Sequence, residues 1–179
     1  MLTITICASD MWNDGLNEFV SIPETILHLE HSLVAISKWE SKWKKPFLVR
    51  DSKTVEETLD YVRCMTLDEN VNPIIYRLIS QDHLNEISEY IDDPMSATWF
   101  SKDDSKPSRE IVTSELIYYW MCASQIPFEC QYWHLNRLMA LIRICSIKNQ
   151  PSKKMGRKDI YNQNAALNRA RRAKSRSKG

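Results

Sequence analysis

Glycine is nearly missing from this chain: three residues in 179, at Gly15, Gly156 and Gly179. No GxGxxG turn or P-loop can be assembled from positions so far apart. The same scarcity argues against a turn-dense all-β fold, which needs positive-φ residues at many corners. The five cysteines (Cys7, Cys64, Cys122, Cys130, Cys145) are odd in number, irregularly spaced and contain no CxxC. They read as reduced, mostly buried thiols rather than a disulfide framework. The longest uncharged apolar stretch, Leu116 to Phe128, is about 13 residues, short of the ~20 that a membrane-spanning helix needs. The opening Met1-Leu2-Thr3-Ile4-Thr5 lacks the basic start and apolar run of a signal peptide. The expectation is a soluble intracellular protein that makes no membrane contact.

The net charge of +1 conceals a division. From Lys148 onward there are eleven Lys/Arg and one acid, whereas residues 1–147 hold thirteen Lys/Arg and twenty-two acids. An acidic body therefore carries a basic arm.

Alternation of Leu2, Ile4 and Ile6 with threonines predicts a first strand, and Asn13-Asp14-Gly15 supplies turn chemistry. Further strands are expected near Glu18–Ile22 and Thr25–Glu30, which together make a small N-terminal β meander. The period then lengthens. Leu33, Ile36, Trp39, Trp43 and Phe47 form a helical stripe, with Ser32 as N-cap and Pro46 as stop. Thr54 and Glu57 have capping-box spacing and open a helix through Leu59, Val62, Cys64 and Met65. Asn72-Pro73 starts a short helix, and Ser80 or Asp82 starts another that ends at Asp92-Asp93-Pro94. Residues 101–108 read as a polar surface loop.

From Ser108 to Asn149 two helical patterns meet at Ile126-Pro127. The first runs through Ile111, Leu116, Tyr119, Trp120 and Ala123. The second runs through Phe128, Tyr132, Leu135, Leu138, Met139, Ile142 and Cys145. Pro127 reads as the joint of a helical hairpin around which the rest packs. The fold class is α+β and predominantly α-helical: an N-terminal β meander, then a helical bundle at 1–149, then a basic arm at 150–179 that is partly helical or disordered.

Few groups offer chemistry. His28, Glu30 and His31 lack metal-site spacing, and no PCxxC accompanies the HxE pattern. Cys122, Cys130 and His134 can approach one another near the hairpin joint, and Cys130 and His134 would share a helix face. No orienting group or oxyanion donor joins them, so no catalytic, metal or cofactor residue is assigned and no enzyme is expected. The carboxylates Glu56, Glu57, Asp60, Glu86, Glu89, Asp92 and Asp93 have the spacing of solvated helix faces. Trp39 and Trp43 read as core rather than as a base-stacking platform.

The arm is the functional signal that composition supplies. Its candidate partner-binding residues are Lys153, Lys154, Arg157, Lys158, Arg169, Arg171, Arg172, Lys174 and Arg176, set among Ala165, Ala166, Leu167, Ala170 and Ala173. Alanine and arginine favour helix, yet the apolar surface is small. The residues fit an arm that binds nucleic acid or an acidic partner, and equally a solubilising tail that contacts the acidic body.

Several segments resemble a family of small proteins encoded among the tail genes of tailed bacteriophages. They are SLVAISKWESKWKKPFL (32–48), EETLDYVRCMTL (56–67), MSATWF (95–100), TSELIYYWM (113–121), IPFECQYWHLNRLMALIRICSIKN (126–149) and the closing KKM…LNRARRA. The resemblance spans nearly the whole chain and rests on packing residues, with no catalytic residues to carry over. It implies a tail assembly chaperone or other virion-morphogenesis protein that acts by protein–protein binding. The implied partner is the tape-measure protein or another tail protein, in the host cytoplasm or in the virion. A nucleic-acid-binding accessory protein that uses the arm, or a structural component of the virion, are the other readings.

Overall fold

The computed structural model describes residues 1–13, 17–49, 51–100, 110–149 and 156–175. The strands are β1 (Leu2–Ile6), β2 (Ser9–Asn13), β3 (Glu18–Ile22) and β4 (Thr25–Leu29). The helices are α1 (Leu33–Trp43), α2 (Val55–Met65), α3 (Gln81–Asp92), α4 (Ser114–Ala123), α5 (Leu135–Asn149) and α6 (Arg157–Ser175). Two 3-10 segments lie between them, at Pro73–Leu78 and Phe128–Tyr132. The fold is α+β and predominantly helical. By its contacts the chain divides into two compact units, Met1–Ser146 and Ile147–Gly179.

The strands do not form a meander, in which each would pair with the next. β1 pairs with β4 and β2 with β3, both antiparallel, as one hairpin nested within another. In the outer pair Ile4 lies opposite Leu27 and Leu2 opposite Leu29, so Ile4, Ile6, Leu27 and Leu29 are buried on one face. A one-residue slip of either strand would turn its own pair, Ile4 and Ile6 or Leu27 and Leu29, into solvent. β2 itself went unpredicted, because Ser9-Asp10-Met11-Trp12-Asn13 has no alternation of its own. A cross-strand contact identifies it: Trp12 meets Phe19 edge-on at 5.1 Å between ring centres. Asp14 and Gly15 of the expected turn lie outside the described residues, while Asn17 beside them has a left-handed φ of 54°.

The helix starts follow local chemistry. The Ser32 hydroxyl accepts from the Ala35 amide to open α1. Thr54 and Glu57 complete a reciprocal capping box at α2, and Ser80 with His83 does the same at α3. α1 stops before Pro46: Lys44 takes a left-handed φ of 56° and returns its amide to the Glu40 carbonyl.

Packing centres on α1 rather than on a hairpin of the last two body helices. Leu33, Ile36 and Trp39 are fully buried, and α1 lies against α2, α4 and the second 3-10 segment. The buried face of α4 is also rotated from the expected stripe. Ser114, Ile117 and Met121 point inward, whereas Ile111 and Tyr119 are exposed. Leu116 to Met121 is apolar all round, so periodicity had no polar face from which to set the phase. The second expected pattern is broken as well: Phe128 and Tyr132 belong to the 3-10 segment and face outward, and α5 begins only at Leu135. The expected loop at 101–108 lies outside the described residues.

Candidate functional site

A polar seam runs through the interior of the first unit. His31 and His134 are both buried, with ring centres 5.1 Å apart. His31 Nδ1 lies 2.5 Å from the Tyr61 hydroxyl. Burial, and then the neighbouring His134, pull the His31 pKa down to about 3, so its ring is neutral. His134 receives the Asn136 amide at Nδ1 (3.3 Å) and lies 3.0 Å from the Tyr90 carbonyl through Nε2. The Tyr90 hydroxyl in turn donates to Glu30 at 2.7 Å. Backbone bonds close the seam, since the Leu135 amide donates to the His31 carbonyl at 2.7 Å.

Two carboxylates stitch the helices together. Glu40 is buried on α1 and accepts from two distant amides, Phe47 at 2.7 Å and Ser114 at 2.8 Å. The second bond places a carboxylate at the N-terminus of α4, where the helix dipole favours it. Glu57 accepts from Lys45 and from the Thr54 amide, which hold its carboxyl below the ordinary range. Trp39 donates its indole N–H to the Glu57 carbonyl at 2.9 Å, and Trp43 donates to Asp60 at 2.8 Å. Glu57 and Asp60 therefore depart from the expected solvated face, because both are engaged by α1 and its following loop. Glu86, Glu89, Asp92 and Asp93 are exposed as the spacing implies.

The candidate metal and nucleophile groups separate. His28 pairs with Asp68 at 2.8 Å, Glu30 with Tyr90, and His31 with Tyr61. Cys122 is exposed, whereas Cys130 is buried. Cys130 and His134 do not share a helix face, because the 3-10 segment ends between them and breaks the helical phase. Among the described residues no group of three or more His, Cys, Asp or Glu side chains could hold a metal, and no helix is long and apolar enough to cross a membrane.

Two outward features among the described residues bear on a binding role. The first is a set of exposed aromatic side chains on α4 and on the second 3-10 segment. Tyr119, Phe128 and Tyr132 are 65%, 54% and 62% exposed. Tyr118 ties α4 to the 3-10 segment, 6.3 Å from Phe128 between ring centres, with its hydroxyl donating to Gln131 at 2.9 Å. Burial raises the Tyr118 pKa, with a further contribution from nearby Tyr132. Sequence reasoning assigned Tyr119, Phe128 and Tyr132 to a buried stripe, and only their solvent exposure shows otherwise.

The second feature is α6. Of the nine arm residues singled out in the sequence, it carries Arg157, Lys158, Arg169, Arg171, Arg172 and Lys174. Lys153, Lys154 and Arg176 lie outside the described residues. Lys158 and residues 161–175 are exposed without interruption. Comparison with protein-family models, with curated proteins and with solved structures finds no match to this chain.

Proposed function

We propose that this protein acts without catalysis, as a tail assembly chaperone that holds the tape-measure protein of a tailed phage. The exposed aromatic side chains of α4 and the second 3-10 segment carry the reading, and the resemblance of segments 113–121 and 126–149 to the tail-gene family supports it. Tyr119, Phe128 and Tyr132 offer flat, amphipathic contact area suited to the apolar stripe of a long helix.

The magnitudes favour a transient hold. Three aromatic side chains exposed to this degree present about 350 Å², worth about 9 kcal/mol gross at ~25 cal/mol/Å². Association costs on the order of 4–15 kcal/mol, so a single contact is weak. Retention then comes from several copies along one extended partner, and each copy remains displaceable when tail-tube subunits arrive.

The test is co-expression with a tailed-phage tape-measure protein, followed by pull-down at moderate salt, with and without residues 150–179. Wild-type chain should keep the tape-measure protein in solution, and Y119S/F128S/Y132S should lose it while remaining folded. A tape-measure protein that stays insoluble beside abundant wild-type chain would refute the chaperone role. Recovery of the chain from purified particles would instead support a structural place in the virion.

A further inference from the structure

We infer that α6 is a double-stranded DNA-binding helix that engages the phosphate backbone along one groove. This activity is separate from the proposed grip on a tail protein. Lys158, Tyr161, Ala165, Arg169 and Arg172 recur at intervals of three and four and so share one face of the helix, with Arg171 and Lys174 displaced from it. Each of these side chains is exposed.

The form of the helix favours a duplex. Its 19 residues give about 28 Å of length at a diameter of about 10–12 Å, which matches the ~12 Å width of the B-form major groove. Ala165, Ala166, Ala170 and Ala173 keep the helix slim between its long cationic side chains. A-form RNA has a major groove too narrow to admit such a helix.

Charge and apolar content favour a polyanion over a protein. Beyond its alanines, α6 contains only Ile160, Tyr161 and Leu167 as large apolar residues in its 19 positions. A protein interface needs an apolar centre, which so few large apolar residues supply poorly. Phosphate recognition needs none, because displaced counterions drive it. The excess of acids in residues 1–147 weakens any DNA contact made by the body, so binding depends on the basic unit.

The test is fluorescence anisotropy of the full chain on a 20-base-pair DNA duplex, the matching RNA duplex and the matching single DNA strand, from 50 to 200 mM salt. Engagement of Lys158, Arg169, Arg171, Arg172 and Lys174 gives a log–log salt slope of about −4.5, a weakening of roughly 500-fold over that range. R169E/R172E should weaken binding at 50 mM salt by at least ~100-fold and make the slope shallower by about 2. R63E/R77E makes the same change of net charge on exposed positions of the body, and should have a far smaller effect. The inference is overturned by absence of DNA binding at 50 mM salt, or by equal losses in the two double variants. It is also overturned by a single strand or RNA duplex binding as tightly as DNA, or by a polyglutamate peptide competing as well as DNA does. Circular dichroism on each variant identifies any loss that comes from unfolding.

Discussion

Acidification from pH 7.5 to pH 5 should destabilise the first unit through His31. The ring is neutral in the folded chain, with its pKa pulled from 6.5 to about 3 by burial and by His134. In the unfolded chain it takes up a proton near 6.5, so below that pH the unfolded state binds more protons and gains relative to the folded one. The stabilisation is complete above pH 6.5 and drains away as pH falls toward 3. At pH 5 the loss is about 2 kcal/mol, and near pH 3 it approaches about 5 kcal/mol. The groups that meet His31 are His134, which leads into α5, and Tyr61 on α2, with Tyr90 and Glu30 one step further along the seam. Glu57, Asp68 and Glu115 are held low by the hydrogen bonds they accept. Their stabilisation is present above the ordinary carboxylate range and is lost only below it, so an endpoint of pH 5 leaves them charged. Urea unfolding at the two pH values measures the difference, and H31Q should reduce the drop by about 2 kcal/mol. An undiminished drop in H31Q, or an NMR titration showing the His31 ring protonating near pH 6 in the folded chain, would refute the reasoning.

Other perturbations test the seams between helices. Glu40→Ala leaves the Phe47 and Ser114 amides without their acceptor, at a cost of about 2–5 kcal/mol in urea unfolding. Glu40→Gln keeps one oxygen acceptor and should recover part of that loss. Thr54→Ala breaks the capping box of α2 and should cost about 1 kcal/mol. Trp39→Phe removes the indole donor to Glu57 and some buried volume, lowering stability by about 1–3 kcal/mol. Y119S touches neither seam, so its unfolding midpoint should stay close to wild type while tape-measure retention falls.

The elements and the site were legible to different degrees. Ser32, the Thr54–Glu57 box, Asn72-Pro73 and Ser80 all mark real starts, because capping is a contact between neighbours two or three residues apart. The strand near Glu18–Ile22 and the one beginning at Thr25 were equally visible, as was the burial of Trp39. The exposed aromatic side chains were not. In Leu116 to Met121 every helical face is apolar, so which one turns inward depends on α1 and on the Glu40 bond to Ser114. The role of Glu40 was equally hidden, since on a Lys-rich helix it reads as one more solvated acid.

By itself the sequence determined that this chain is mostly helical, where the helices of its first half begin, and that its charge divides into an acidic body and a basic arm. Each follows from composition or from interactions within one helical turn. Only the tertiary structure decided the nested strand pairing, the inward face of α4 and the neutral His31 beside His134. It also decided the exposure of Tyr119, Phe128 and Tyr132. These outcomes turn on partners far apart in the chain, with Glu40 and Ser114 separated by 74 positions and Glu30 and Tyr90 by 60. Such contacts are settled by which surfaces can be buried together with every polar atom satisfied, a condition that no local spacing encodes.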